Sequence, residues 1–316
     1  MQSQQLTALY QLRIAGIIVS LNIEQEPALA EDIRGVDDPR RLPISRQLFY
    51  LINLAVRYQE IKMTPRERFI QDTRPSSSTS SRFGYYSALL TTVITIVTFG
   101  FALIAIPISG ANCPGDCVTY PYLDTVSQFP RDFLWMPLAI LMVIAYVMLM
   151  VSIHFYAPDP RKIFSQVGLS FALIAAAILA SNYFIQFSVI PMSLMNGETN
   201  GLATLIQYNP HGVFIALEEL GFLIMSLSFV FMAPVFANKS RLESAVRWIF
   251  IAGFVLVVAS LILISINYGL DRQDRFEVVV ISINWLVLIV NGALLGIIFR
   301  RQSKIEPSLT GSGDNE

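Results

Sequence analysis

The chain is 316 residues long, 54% hydrophobic and 14% charged, with a mean hydropathy of +0.55 and a formal net charge of -1. An ordinary soluble domain carries roughly 25% charged residues, so the composition is that of a membrane protein, and the near-neutral balance gives nucleic acid no electrostatic handle. With two histidines and two cysteines in all, a zinc centre would need distant parts of the chain and added carboxylates, and neither a metal nor a cofactor is expected.

Residues 1–62 differ from the rest and form an N-terminal extension. The first apolar patch, Ile14 to Leu21, is short, carries Arg13 on its edge and lacks a basic segment before it, so it does not read as a secretory signal. EDIRGVDDPRRLPISRQ is charged and punctuated by proline, and LFYLINLAVRYQEIK reads as an amphipathic helix. The extension is too short to bury a sizeable core alone. Three readings stay open for it: a cytoplasmic appendage, an interfacial helix, or translated sequence upstream of a start at Met63, where MTPRERF resembles a chain beginning. Residues 63–85 form a basic, Ser-rich linker in which PSSSTSS is a flexible tether.

From Tyr86 onward six stretches are long and apolar enough to cross a hydrocarbon core of about 30 Å. They are 86–109, 133–157, 163–190, 213–237, 248–269 and 278–299. Barrel strands would be shorter and alternate in polarity, so the fold class is an all-α bundle of six transmembrane helices over 86–300. One set of connections collects Arg66, Arg68, Arg74, Arg82, Arg161, Lys162, Lys239, Arg241, Arg247, Arg300, Arg301 and Lys304; the other holds Arg131, Arg272 and Arg275. This asymmetry puts both termini in the cytoplasm, in a bacterial-type plasma membrane, with 301–316 as a flexible cytoplasmic tail. The expected partners are the lipid bilayer and a small-molecule ligand, with no nucleic acid; the sequence names no protein partner.

The loop GANCPGDCVTYPYLDTVSQFPRD between spans one and two then lies outside. Cys113 and Cys117, separated by the turn-forming Pro114, Gly115 and Asp116, are expected to form a disulfide there. A redox-active pair is the rival, weakened by three intervening residues where the redox motif has two. Trp135, Tyr120 and Tyr122 suit an aromatic belt at the outer interface, with Trp248 at the inner one.

The fourth span holds the sharpest feature. In YNPHGVFIALEELGF, Asn209 can cap a helix whose first residue is Pro210. Glu218 and Glu219 then lie about 12 to 14 Å along it, at hydrocarbon depth. Glu218 shares a stripe with His211, Gly221 and Met225; Glu219 shares one with Gly212, Ala216 and Ser226. No Lys or Arg lies within the spans, so no internal cation is expected to pair with either carboxylate. Asn182 and Gln186 in span three and Asn284 in span six lie at similar depth. The expected ligand-binding layer is therefore Glu218, Glu219, Asn182, Gln186, His211 and Asn284. Proton exchange, cation or amine binding, and helix-to-helix hydrogen bonding are the uses open to it. His154 lies at the inner end and reads as hydrogen-bonded or interfacial, and Asn291 as interhelical glue.

No Gly-rich phosphate loop, HExxH helix or GxSxG turn is present. EEL resembles the paired glutamates of the CPBP intramembrane protease family, but that motif, EExxxR, requires arginine where this chain has Leu223. The resemblance covers two residues and does not establish membership. The sequence therefore supports binding or transport of a small cationic or protonatable molecule, with a structural or assembly role as the alternative and a glutamate-dependent intramembrane hydrolase as a minor one.

Overall fold

The computed structural model describes residues 10–14, 17–21, 78–104, 108–115, 117–237 and 240–310, and the chain divides into two units, residues 1–74 and 75–316. In the first unit the described residues form a hairpin: β1 (Tyr10–Ile14) pairs antiparallel with β2 (Ile17–Leu21), Ile14 opposite Ile17. The apolar patch before residue 22 is thus mostly the second strand of this hairpin. The amphipathic helix expected over 48–62 and most of the linker lie outside the described residues.

The second unit is helical. Its long elements are α1 (Ser78–Ile104), α2 (Trp135–Tyr156), α3 (Lys162–Ser188), α4 (Val213–Met232), α5 (Arg241–Tyr268) and α6 (Arg275–Thr310). Six helices among the described residues are long and apolar enough to cross a membrane, consistent with an integral membrane protein.

Three boundaries depart from hydropathy for one reason: apolar composition marks where a helix can meet lipid, whereas its backbone hydrogen bonds continue through polar residues. Helix α1 begins at Ser78, inside the Ser-rich tether. Helix α6 continues through Thr310, into the segment expected to be a flexible tail. Helix α5 begins at Arg241 because Ser240 caps it, accepting from the Glu243 N–H at 3.2 Å.

Each helix packs on the next, α6 closes the ring against α1, and α4 also meets α6. The aromatic centre sits on that inner contact. Trp285 of α6 receives ring edges from Phe99 of α1 at 5.5 Å, Trp135 of α2 at 6.5 Å and Phe222 of α4 at 6.2 Å. Deeper in the bundle, Phe229 stacks on Phe250 at 5.1 Å and takes the edge of Tyr146 at 5.8 Å. Helix α5 is the peripheral member, its exposed Val255, Leu256, Ile262, Leu263 and Ile266 making an exterior suited to acyl chains.

Helices α3 and α4 approach closely at Gly221. A Cβ there would fall 2.6 Å from Leu179 Cγ, so the absence of a side chain sets the spacing of the two helices. Overfilling a packed core costs about 1–3 kcal/mol. Gly221→Ala is expected to lower the thermal unfolding midpoint in detergent, and Leu179→Ala in the same chain to restore part of the loss; an unshifted midpoint for Gly221→Ala would show that this contact is not tight.

Candidate functional site

The ends of α1, α3 and α5 and the starts of α2, α4 and α6 lie together at one end of the bundle, with the loops that join them. Cys113 and Cys117 are disulfide-bonded there, S–S 2.00 Å. The α1–α2 loop is tied down by Asp274, just ahead of α6, which accepts from the Ala111 N–H at 2.8 Å and from Asn112 Nδ2 at 3.0 Å. This needs glycine at 110: its φ is +73°, and a Cβ would lie 2.7 Å from Asp274 Oδ1. Ser109 donates to the Tyr208 carbonyl, and the Tyr208 hydroxyl donates to Asp132 Oδ2 at 2.8 Å. Burial, then the hydrogen bond to Asp132, push the Tyr208 phenol above its ordinary range. Asp132 is also paired with Arg131 at 2.6 Å.

Beneath these ties lies a cavity of about 200 Å³, whose walls include Asp132, Asp274, Glu277, Trp135, Trp285 and Tyr208. Asp132 and Asp274 are engaged by the loops. Glu277 forms no ion pair among the described residues and is partly exposed, so it is the carboxylate that the cavity has available. Trp135, expected in an interfacial belt, instead turns inward onto Tyr183, ring centroids 5.2 Å apart. Tyr120 and Trp248 are exposed, and Tyr122 is buried among the loop residues Ile190, Leu202, Ile206 and Tyr208.

The two glutamates of α4 have different surroundings. Helix α4 starts at Val213, three residues after the expected Pro210, because Asn209 works in the preceding turn: its Oδ1 accepts from the His211 N–H at 3.1 Å and its Nδ2 donates to the Ala203 carbonyl at 2.8 Å. Glu218 and Glu219 therefore lie about 8 to 9 Å into the helix. Glu219 forms an ion pair with Arg272, which corrects the expectation that no cation reaches these carboxylates. Arg272 belongs to the α5–α6 connection and was set aside as a flanking residue, yet its side chain folds down onto the bundle.

Glu218 is fully buried, and neither of its oxygens has a hydrogen-bond partner. Glu277 of α6 and Tyr183 of α3 face it closely enough for their charge and hydroxyl to act on it. Three helices thus converge oxygen atoms on one buried point.

The amides of the expected layer bind backbone. Asn182 Nδ2 donates to the Phe214 carbonyl at 3.0 Å; Gln186 donates to the Leu205 carbonyl and accepts from the Gln207 N–H at 3.0 Å. These two fasten the end of α3 to the chain leading into α4. Asn284 donates to Val280 of its own helix at 2.8 Å and keeps a buried, unpartnered Oδ1. His211 is exposed and is not brought to the glutamates. At the opposite end His154 shares a hydrogen bond with Ser165 at 2.9 Å, and Asn291 bridges to the Val246 carbonyl at 3.3 Å.

Glu277, Tyr183 and Trp285 escaped the sequence reading. Glu277 stood one residue outside the sixth apolar stretch, although the seven-residue spacing Glu277, Asn284, Asn291 places all three on one helical face and could have exposed it. Among the described residues no group of three or more His, Cys, Asp or Glu side chains could hold a metal ion. No known protein family, curated protein or solved structure matches the chain.

Exposed ion pairs are worth about 0–1 kcal/mol and breaking a buried one costs about 3–5. With Arg272 34% exposed and Glu219 8%, a double-mutant cycle of Arg272→Gln and Glu219→Gln is expected to give a coupling of about 1–2 kcal/mol. A coupling of zero in detergent unfolding would show that the pair does not hold the α5–α6 connection down.

Proposed function

We propose that this chain is a multi-pass membrane protein that binds, and by extension transports, a small cationic or protonatable molecule in the cavity at its disulfide end. The observation that carries this reading is the cavity wall itself: a carboxylate without an ion-pair partner among the described residues, Glu277, on the same wall as the aromatic side chains of Trp135, Trp285 and Tyr208. A carboxylate supplies counter-charge and aromatic faces attract cations, by about 0.5–2 kcal/mol each when desolvated. Glu218 stands behind Glu277 as a second carboxyl group. The bridging amides Asn182, Gln186 and Asn291 serve the structural role that was the rival reading, but that role does not account for a carboxylate bordering an open space.

The loop charge asymmetry supports placing the disulfide end on the non-cytoplasmic face and both termini in the cytoplasm. In sealed cells, a membrane-impermeant maleimide is expected to label Cys113 and Cys117 only after an impermeant reductant. Labelling without reductant would oppose the disulfide, and labelling confined to permeabilised cells would invert the topology.

A ligand at one hundred times its Kd stabilises the folded state by about 2.7 kcal/mol. Thermal unfolding in detergent against a panel of amines and quaternary ammonium ions is therefore expected to reveal stabilisation in the wild type that Glu277→Gln removes while leaving unliganded unfolding near normal. If no amine stabilises the wild type, or Glu277→Gln responds like it, the reading fails; if Glu277→Gln simply does not fold, Glu277 is structural.

A further inference from the structure

Glu277, on the cavity wall, also neighbours a buried cluster of oxygen atoms. There Glu218, 0% exposed and with both oxygens unpartnered, meets Glu277 from α6 and Tyr183 from α3, whose hydroxyl is also buried and unpartnered. Asn284, two turns below Glu277 on the same face, keeps a further buried oxygen without a donor. The charges around this point are Glu219, already paired with Arg272, and Asp274, held by the Ala111 and Asn112 donors. No basic side chain is left over for Glu218 or Glu277 among the groups that act on them.

Hard cations are bound by oxygen alone, and small ones are bound where their hydration shell is replaced by protein oxygens. Two carboxylates and a phenolic oxygen from three helices, of which Glu218 and Tyr183 are fully buried, are such a donor set. Among the described residues no third His, Cys, Asp or Glu joins the two to make a metal-holding group, and a monovalent guest needs no further anionic ligand.

We propose that Glu218, Glu277 and Tyr183 form a site for a bare monovalent cation of sodium size, lying behind the organic cavity and sharing Glu277 with it. With both sites filled and both carboxyls ionised, two carboxylates face two monovalent cations, one inorganic and buried, one organic and in the cavity; with sodium alone, one of the two carboxyls keeps its proton. Each ion screens the repulsion that the other's absence leaves, so the two bind cooperatively, and by linkage each raises the affinity of the other by the same factor. The coupling half of this inference rests on the proposed organic site; the sodium half stands without it.

The test is tryptophan-monitored thermal unfolding of the full chain in detergent, with sodium chloride replaced stepwise by potassium chloride at constant ionic strength and pH. Sodium is expected to raise the midpoint saturably and potassium much less. Tyr183→Phe should shift the sodium dependence at least tenfold to higher concentration, and Glu218→Gln should abolish it. Tyr183→Phe serves where Glu218→Gln fails to fold, since it removes one oxygen and little volume. Equal effects of the two salts, an unchanged sodium response in Tyr183→Phe, or stabilisation that follows acidification and ignores sodium would overturn the site, the last by showing that the pair takes a proton instead. Repeating the amine panel at low and high sodium separates the two readings. Sodium stabilisation with no amine response leaves this site and removes the organic one; amine stabilisation of unchanged affinity in both salts removes the coupling.

Discussion

A charge taken out of water has to be met by another group or left where water can reach it, and at the disulfide end of this bundle that constraint governs how the loops lie. The carboxylates there include Asp132, Glu218, Glu219, Asp274 and Glu277, and the guanidiniums of Arg131 and Arg272 pair with two of them. The loops answer three of them. Arg131 and the Tyr208 hydroxyl meet Asp132, Arg272 folds inward to Glu219, and the α1–α2 loop turns its Ala111 N–H and Asn112 amide onto Asp274. Glu218 and Glu277 are left facing each other across the α4–α6 contact.

The helices are arranged so that this remainder is held and not relieved. Asn182 and Gln186 bind the end of α3 to the backbone entering α4, which fixes where Glu218 enters the bundle. Gly221, one turn below, lets α3 come close enough to present Tyr183. Trp285, two turns below Glu277 on α6, is locked among rings from three other helices, so α6 cannot rotate to carry Glu277 out to lipid without breaking that cluster. The opposite end of the bundle has cross-element ties of its own: Tyr156 donates to Glu243, Arg161 donates to the Ala237 carbonyl at 2.7 Å, and His154 meets Ser165, while Glu243 Oε2 stays buried and unpartnered.

What the sequence made legible follows from which interactions are local. Six helices were readable because each apolar stretch must satisfy its own backbone hydrogen bonds, and the Cys113–Cys117 bond because its two partners lie four residues apart in one turn. Glu218 and Glu219 stood out because nothing near them in the chain explains a charge. The rest depends on contacts between distant segments. Arg272 reads as a loop cation until α5 and α6 are seen to bring it over α4. Trp135 reads as an interfacial aromatic until Tyr183 and Trp285 are found inside it. Glu277 sits on a helix boundary, where hydropathy discards charged residues as flanks. His211 shows the converse error: sharing a helical stripe with Glu218 in sequence has no force where the segment before Val213 is a turn and not yet a helix.

The distinction between glue and function comes down to charge at fixed shape. A glutamine in place of Glu218 or Glu277 would offer nearly the same length, volume and hydrogen-bonding reach, with an amide that can donate as well as accept. It would carry far less desolvation cost. The amides at 182, 186 and 291 show that this bundle does use that cheaper solution to join two elements through a backbone carbonyl. At 218 and 277 the carboxylates accept no hydrogen bond from a neighbouring helix's backbone, and one of them borders an open cavity. Their distinguishing property over an amide is negative charge, and negative charge in an apolar interior stabilises nothing until a cation or proton arrives. That difference in charge is what sets this pair apart from Asn182 and Gln186, whose hydrogen bonds to backbone join α3 to the chain entering α4.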